Sequence, residues 1–429
     1  MVEGTRCAAD HANDHVKVKL GITKLLEDPG KYLGRMCPGS AHRGSAHRGS
    51  AHPGSAHRGR PRVGLVANYN AVDEHARPII QLLRERSEIS LRAIYVAEHG
   101  LWGCEQAGVK LGDSVDAFTG AQVFSLYGDT MKPTPEMLSD IDVLVCDGAD
   151  IGSRYWTCLS TMALCIEAMA QAGKPIIVTD RPNPLGGAAV EGNVLDMEYH
   201  SFVGFFRIPI RHGMTPGELA RLFAGESDLD ADLTIVPMDG WTRDMLFPDT
   251  GHFWTATPNM PDFETALLYP GTCLFEGTAC SEGRGTTKPF KLIGAPWINA
   301  IDLADRLNNM GIDGARFRPA HFRPAFSKHA GEQCQGVEIY ITDHGRIRPV
   351  HLGLSMLCTM REQRPDLFAW NVPFIDLLSG GADLRTWIDD GSTPEQILSR
   401  WRPGMNQFLG VRERYLLYDG SSGAGNRRR

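Results

Sequence analysis

Leu91-Arg92-Ala93-Ile94-Tyr95-Val96-Ala97-Glu98-His99-Gly100 is the stretch on which the reading of the chain turns. Leu91 to Val96 is apolar apart from Arg92 and has the length of a buried strand. It ends on a carboxylate, an imidazole and a glycine in succession. In an open parallel sheet the ligand crevice lies beyond the carboxyl ends of the strands. A glutamate at that place is a candidate proton donor or acceptor, and equally a candidate for a salt-bridged strand end.

The surrounding chain repeats the pattern. Val63–Ala67 is strand-like and ends at Asn68; Val143–Cys146 ends at Asp147; the strand Lys174–Thr179 ends at Asp180. A helix is expected over Glu74–Arg86, a short strand at Val123–Leu126, and a short helix opening at Thr134-Pro135-Glu136. Leu159–Ala172 reads as an amphipathic helix burying Met162, Ile166 and Met169. In His212-Gly213-Met214-Thr215-Pro216-Gly217-Glu218, Thr215 caps a helix and Glu218 completes the capping box, a structural role for that carboxylate. Alternating β and α elements predict an α/β fold: a Rossmann-like, doubly wound, mostly parallel sheet. If the strands are parallel, Asn68, Glu98, Asp147 and Asp180 share one sheet edge.

Four units are expected along the 429 residues. Residues 1–60 form an N-terminal segment. It ends in repeats of Ser-Ala-His-Arg-Gly between Ser40 and Gly59, too rich in small residues to bury a core and read as a flexible linker. Residues 61–262 form the Rossmann-like domain, residues 263–419 a smaller auxiliary α/β domain, and the Gly/Ser/Arg-rich residues 420–429 a disordered tail. The boundary near 262 follows from the prolines Pro248, Pro258 and Pro261.

Composition narrows the classes. A net charge of −7 disfavours a nucleic-acid-binding face, and no apolar run is long enough to span a membrane. The start lacks the apolar core of a signal peptide, so a cytoplasmic location is expected. Ten cysteines without a Cys-x-x-Cys pair do not form a disulfide framework; Cys146, Cys158 and Cys165 read as small core residues. Gly-x-Ser-x-Gly, His-Glu-x-x-His, Walker and Gly-x-Gly-x-x-Gly patterns are all missing, so no cofactor and no metal are expected. The glycines around Ser281-Glu282-Gly283-Arg284-Gly285-Thr286 allow tight folding around a ligand; Arg284 is a candidate clamp for a carboxylate or, alternatively, a salt-bridged residue of a surface loop.

Ala97-Glu98-His99-Gly100, Phe124–Gly128, Asp180–Gly187, Ser201–Gly204, His212–Leu219 and Phe275–Thr286, in this order, resemble the exo-β-N-acetylmuramidase (NamZ-type) glycoside hydrolases. The resemblance runs from about residue 62 to about residue 400. It implies a catalytic Rossmann-like domain, an auxiliary domain, a site between them, and release of N-acetylmuramic acid from peptidoglycan fragments. The family's catalytic Glu falls on Glu98. The expected catalytic set is Glu98 as general acid, His99 orienting it or the sugar, and Asp147, Asp150 or Glu282 activating water. Asn68, Trp102, Arg154, Asp180, Arg181, Asn183, His212, Glu282 and Arg284 are expected to bind a small carbohydrate or muropeptide. Trp102, Ala149, Arg154-Tyr155-Trp156-Thr157-Cys158 and Ala279-Cys280 depart from the family pattern at positions expected to line the pocket. They keep two alternatives open: a non-hydrolytic sugar-binding protein, and a glycosidase for a different small glycoside.

Overall fold

The computed structural model describes residues 17–36, 59–67, 69–105, 108–110, 112–255 and 257–420. A seven-stranded sheet is built from β1 (Arg62–Val66), β2 (Ser90–Val96), β3 (Ser114–Val115), β4 (Gln122–Ser125), β5 (Val143–Cys146), β6 (Ile176–Thr179) and, beyond the antiparallel pair β7 (Glu191–Val194) and β8 (Pro209–Arg211), β9 (Leu233–Val236). The order is β3-β4-β2-β1-β5-β6-β9, parallel throughout except at β3–β4. β5 and β6 are buried along their whole length, as strands covered by helices on both faces must be.

The helices of this domain are α1 (Gly21–Glu27), α2 (Pro29–Leu33), α3 (Ile79–Arg84), α4 (Thr157–Gln171) and α5 (Pro216–Glu226). α5 carries the expected capping box between Thr215 and Glu218. α3 starts five residues later than the sequence pattern predicts. Asp73 takes up the backbone N–H groups of His75 and Arg77 at 2.9 and 2.8 Å, and Pro78 then sets the helix entry. Thr134 accepts from Met137 N at 3.4 Å, but only turns follow, so the short helix expected there is not formed.

The N-terminal segment is not separate from the sheet domain. Leu20, Ile22, Leu25, Leu26 and Leu33 pack with Val63, Leu65, Ile94, Val145, Ile177 and Val236 in one core. A Cβ on Gly21 would lie 2.2 Å from Val236 O and 2.6 Å from Asp180 N, so only glycine lets this segment approach. The expected unit 1–60 is therefore corrected: residues 17–36 belong to the Rossmann-like domain. The repeat up to residue 58 and the tail from 421 lie outside the described residues.

The second domain holds α6 (Phe263–Thr272), an antiparallel sheet of β10 (Leu292–Ala295), β11 (Ala315–Phe322) and β12 (Cys334–Ile341) in the order β10-β12-β11, and α7 (Ala300–Asn309), α8 (Pro349–Gln363), α9 (Val372–Ser379), α10 (Asp383–Asp389) and α11 (Pro394–Arg412). α11 crosses back onto the first domain, where Phe408 joins its core. Beyond α11, Tyr418 returns to the sheet, where its Oη donates to Asp180 at 2.5 Å. Among the described residues no helix is long and apolar enough to cross a membrane.

Candidate active site

β2 delivers five buried residues, Ala93 to Ala97, and then turns sharply. His99 and Gly100 have φ of 72° and 74°. The left-handed conformation is free for glycine but costs a histidine about 1 kcal/mol or more. The turn leaves Glu98 half-buried with its carboxyl group held from several sides. Gly108 N donates to Oε1 at 2.9 Å and Thr157 Oγ1, at the start of α4, donates to Oε2 at 3.2 Å. Tyr127 also bonds Glu98; burial and that carboxylate push its phenol up to about 12, so it stays the donor. His99 Nδ1 lies 2.8 Å from Glu105 O, which can only accept, so Nδ1 carries the hydrogen.

Glu98 and His99 form one wall of a cleft of about 610 Å³. The other wall comes from the second domain: Tyr269 on α6, Glu276 on the 3₁₀ turn Cys273–Gly277, then Arg284, Phe290, Phe326 and Phe374. Tyr127, Tyr155, Trp156 and Phe202 add rings from the first domain. Trp156 is oriented by its indole N–H, which donates to Ala149 O at 2.9 Å. Apolar ring faces with a few convergent polar groups suit the two-faced surface of a sugar. The crevice at the sheet's own switch point has room for little more than a water molecule, about 20 Å³, and is lined by small residues such as Ala67, Ala97, Gly148 and Ala149. Ligand space therefore lies between the domains.

Glu276 Oε1 accepts from Arg284 Nη2 at 2.9 Å. Burial raises its pKa, against the opposing pull of Arg284. Arg284 sits 5.1 Å from the centre of the Phe290 ring, and its Nε is 3.6 Å from Glu282 Oε1. Lys328 Nζ lies 3.0 Å from Glu282 Oε2 and donates to the carbonyls of Phe275, Glu276 and Cys280, which braces the turn carrying Glu276.

The expected site residues divide. Glu98, His99 and Arg284 line the cleft. Arg284 is already engaged by two carboxylates, which favours the salt-bridged alternative over an open carboxylate clamp; Glu282 stands behind it. Asp147, expected to activate water, is fully buried and held by Arg181 through Nε at 3.0 Å and Nη2 at 2.6 Å, with Thr179 Oγ1 at 2.7 Å. Asp150 is buried too, its Oδ2 3.3 Å from His212 Nε2 but out of line for a hydrogen bond. Neither faces the cleft. Arg154 is spent on the carbonyls of Asn193, Ile208 and Leu378, tying the β7–β8 pair to the second domain. Asn183 donates to Met214 O at 2.9 Å and accepts from Leu185 N at 2.9 Å. These residues, with Asp180, Arg181 and His212, are framework rather than lining. Trp102 is half-exposed outside the cleft. Asn68 lies outside the described residues. Ala149 and Ala279, two of the departures, do not line the cleft; Ala149 O accepts from Trp156 Nε1 and Ala279 O from His329 Nε2 at 2.8 Å.

Tyr155, Trp156 and Thr157, expected to line the pocket, do line the cleft, whereas sequence reasoning missed Glu276, Tyr127, Phe202 and the rings of the second domain. Tyr127 and Glu276 both stood inside quoted motifs, but nothing local distinguishes a residue that faces another domain. Among the described residues no group of three or more His, Cys, Asp or Glu side chains is arranged to hold a metal.

Asp180 supplies a test of the framework reading. It accepts from Arg181 N, Thr215 Oγ1, Gly217 N and Tyr418 Oη, yet burial pushes its pKa up to about 7. A carboxyl whose folded pKa lies above its unfolded value stabilises the fold fully below about pH 4, and this contribution is lost as pH rises to about 7. The stability of the wild type relative to Asp180→Asn is expected to fall by about 2–3 kcal/mol between pH 5 and pH 7. Urea denaturation of both proteins across that range measures it; parallel curves would contradict the assignment.

Comparison with known proteins agrees with this architecture. Residues 63–264 match the family Exo-beta-N-acetylmuramidase NamZ, N-terminal, and residues 267–418 match Exo-beta-N-acetylmuramidase NamZ, C-terminal. The peptidoglycan beta-N-acetylmuramidase NamZ of Bacillus subtilis (strain 168) is 45% identical over 359 residues, covering 83% of this chain and 87% of that protein. Two solved structures of DUF1343-family proteins from Bacteroides fragilis NCTC 9343 share the fold. One has a TM-score of 0.82 at 35% identity, covering 94% of this chain and all of the other; the second has 0.71 at 27%, covering 94% and 99%. With both family domains matched in order across the sheet domain, the cleft and the auxiliary domain, the chain belongs to the NamZ exo-β-N-acetylmuramidase family.

Proposed function

We propose that the protein is an exo-acting glycosidase that releases a terminal N-acetylmuramic acid from peptidoglycan fragments, with Glu98 as the general acid. The observation that carries this reading is Glu98 at the β2 end, its carboxyl group held by Gly108 N, Thr157 and Tyr127, in an aromatic cleft between the domains. Cleavage of a glycoside needs a proton on the leaving oxygen and stabilisation of an oxocarbenium-like transition state. Glu98 supplies the proton. Its hydrogen bonds hold the carboxyl group in one orientation, so little reorganisation is needed when substrate arrives. His99, locked through Nδ1, turns its other nitrogen toward the sugar's polar groups. Tyr155, Trp156 and Tyr269 exclude water from the ring faces.

The non-hydrolytic alternative rested on Trp102, Ala149 and Ala279. None of these presents a side chain to the cleft, so that motive lapses. A set of chromogenic β-glycosides separates the remaining readings. Turnover is expected with the N-acetylmuramic acid glycoside and to be at least tenfold slower with the N-acetylglucosamine glycoside. Preference for an unrelated sugar would favour a different substrate, and binding without turnover would favour a sugar-binding protein.

A further inference from the structure

In a single-displacement hydrolysis Glu98 alone is not enough, because the attacking water must give its proton to a second group while Glu98 protonates the leaving oxygen. Among the described residues lining the cleft, Glu98 and Glu276 are the only carboxylates, and they come from different domains. Their surroundings differ in kind. Glu98 is bound by hydroxyl and amide donors. Glu276 is bound by a guanidinium at Oε1, with Cys273 Sγ 3.7 Å from the same oxygen, and the described residues give Oε2 no hydrogen-bond donor. The turn that carries it is braced by Lys328, so its position does not depend on substrate.

We infer that Glu276 is the second catalytic carboxylate, acting as general base on the attacking water and giving inversion at the anomeric carbon. This rests on the glycosidase reading above. In the step, water oxygen forms the new bond to the anomeric carbon and its proton passes to Glu276 Oε2. The bond from the anomeric carbon to the glycosidic oxygen breaks, its electron pair stays on that oxygen, and the proton of Glu98 joins it. The products are the free sugar with inverted configuration, the aglycone alcohol, protonated Glu276 and ionised Glu98; solvent exchange restores both. Arg284 pulls Glu276 toward its charged form, against burial. Arg284 and Cys273 both meet Oε1, which leaves Oε2 to take the water's proton.

The test begins with the wild type and a β-configured N-acetylmuramic acid glycoside followed by proton NMR. The α-anomer is expected to appear first. Glu276→Gln is expected to lower kcat by roughly 10²–10⁴-fold with KM within about threefold of the wild type. In Glu276→Ala, azide is expected to restore turnover and yield the α-glycosyl azide. Melting temperatures, with Glu276→Asp as a second variant, check folding, and the wild-type anomer needs no variant at all. First appearance of the β-anomer, or a Glu276→Gln kcat within tenfold of wild type, overturns the inference and leaves the glycosidase reading standing. No wild-type turnover of any glycoside overturns both.

Discussion

Glu98→Gln is expected to hydrolyse a disaccharide ending in N-acetylmuramic acid about 10²–10⁴-fold more slowly than the wild type. The substitution removes one capacity and keeps the rest. The glutamine carbonyl can accept from Gly108 N as Oε1 does, and its NH₂ can donate to the Thr157 hydroxyl, which then accepts instead of donating. Shape and anchoring persist, while the dissociable proton is gone. The loss is expected to shrink with the leaving group's need for that proton. A nitrophenyl glycoside, whose leaving oxygen is already stable as an anion, should lose much less than the disaccharide. Steady-state rates on both substrates, with a melting curve for the variant, measure this. Equal losses on the two would point to misplacement of the substrate, and full activity on the disaccharide would remove Glu98 from the mechanism.

Arg181→Met is expected to destabilise the fold by about 3–5 kcal/mol, the cost of leaving a buried charge without its partner. Asp147 is completely buried, and Arg181 meets both its oxygens. The same guanidinium donates to Val72 O at 2.9 Å, so the loop after β1 loses an anchor as well. Adding Asp147→Asn to the variant removes the stranded charge and is expected to recover part of the loss. Urea denaturation of the wild type, the single variant and the double variant gives the coupling. Activity per folded molecule should stay within a few-fold of the wild type, since neither residue faces the cleft. A single-variant loss below 1 kcal/mol, or a selective loss of kcat in a stable protein, would return Asp147 to the catalytic candidates.

The contrast between these two residues shows why part of the site was legible and part was not. Glu98 and Asp147 look alike in sequence: each is an acidic residue following an apolar strand, and both strand ends fall on the same sheet edge, as expected. The difference lies in what meets them. Asp147 meets a guanidinium 34 residues further on, and Asp180 meets a phenol 238 residues further on. Glu98 meets no cation, only amide and hydroxyl donors at the edge of the cleft. Glu276 was hidden for the converse reason, since a glutamate in a glycine-flanked turn has no periodicity to mark which domain it will face.

The sequence by itself determined the alternation of strands and helices, the parallel sheet, the capping of α5, the two-domain succession and the strand-end place of Glu98. Each of these follows from local pattern: hydrophobic period, turn chemistry and motif order act over a few residues. Only the tertiary structure decided which strand-end carboxylates were neutralised in the core, that residues 17–36 complete the first domain, and that Glu276 stands across the cleft from Glu98. Those outcomes depend on burial and on charge partners brought together from distant parts of the chain, and the free energy of a buried charge is set by its neighbours rather than by its own identity.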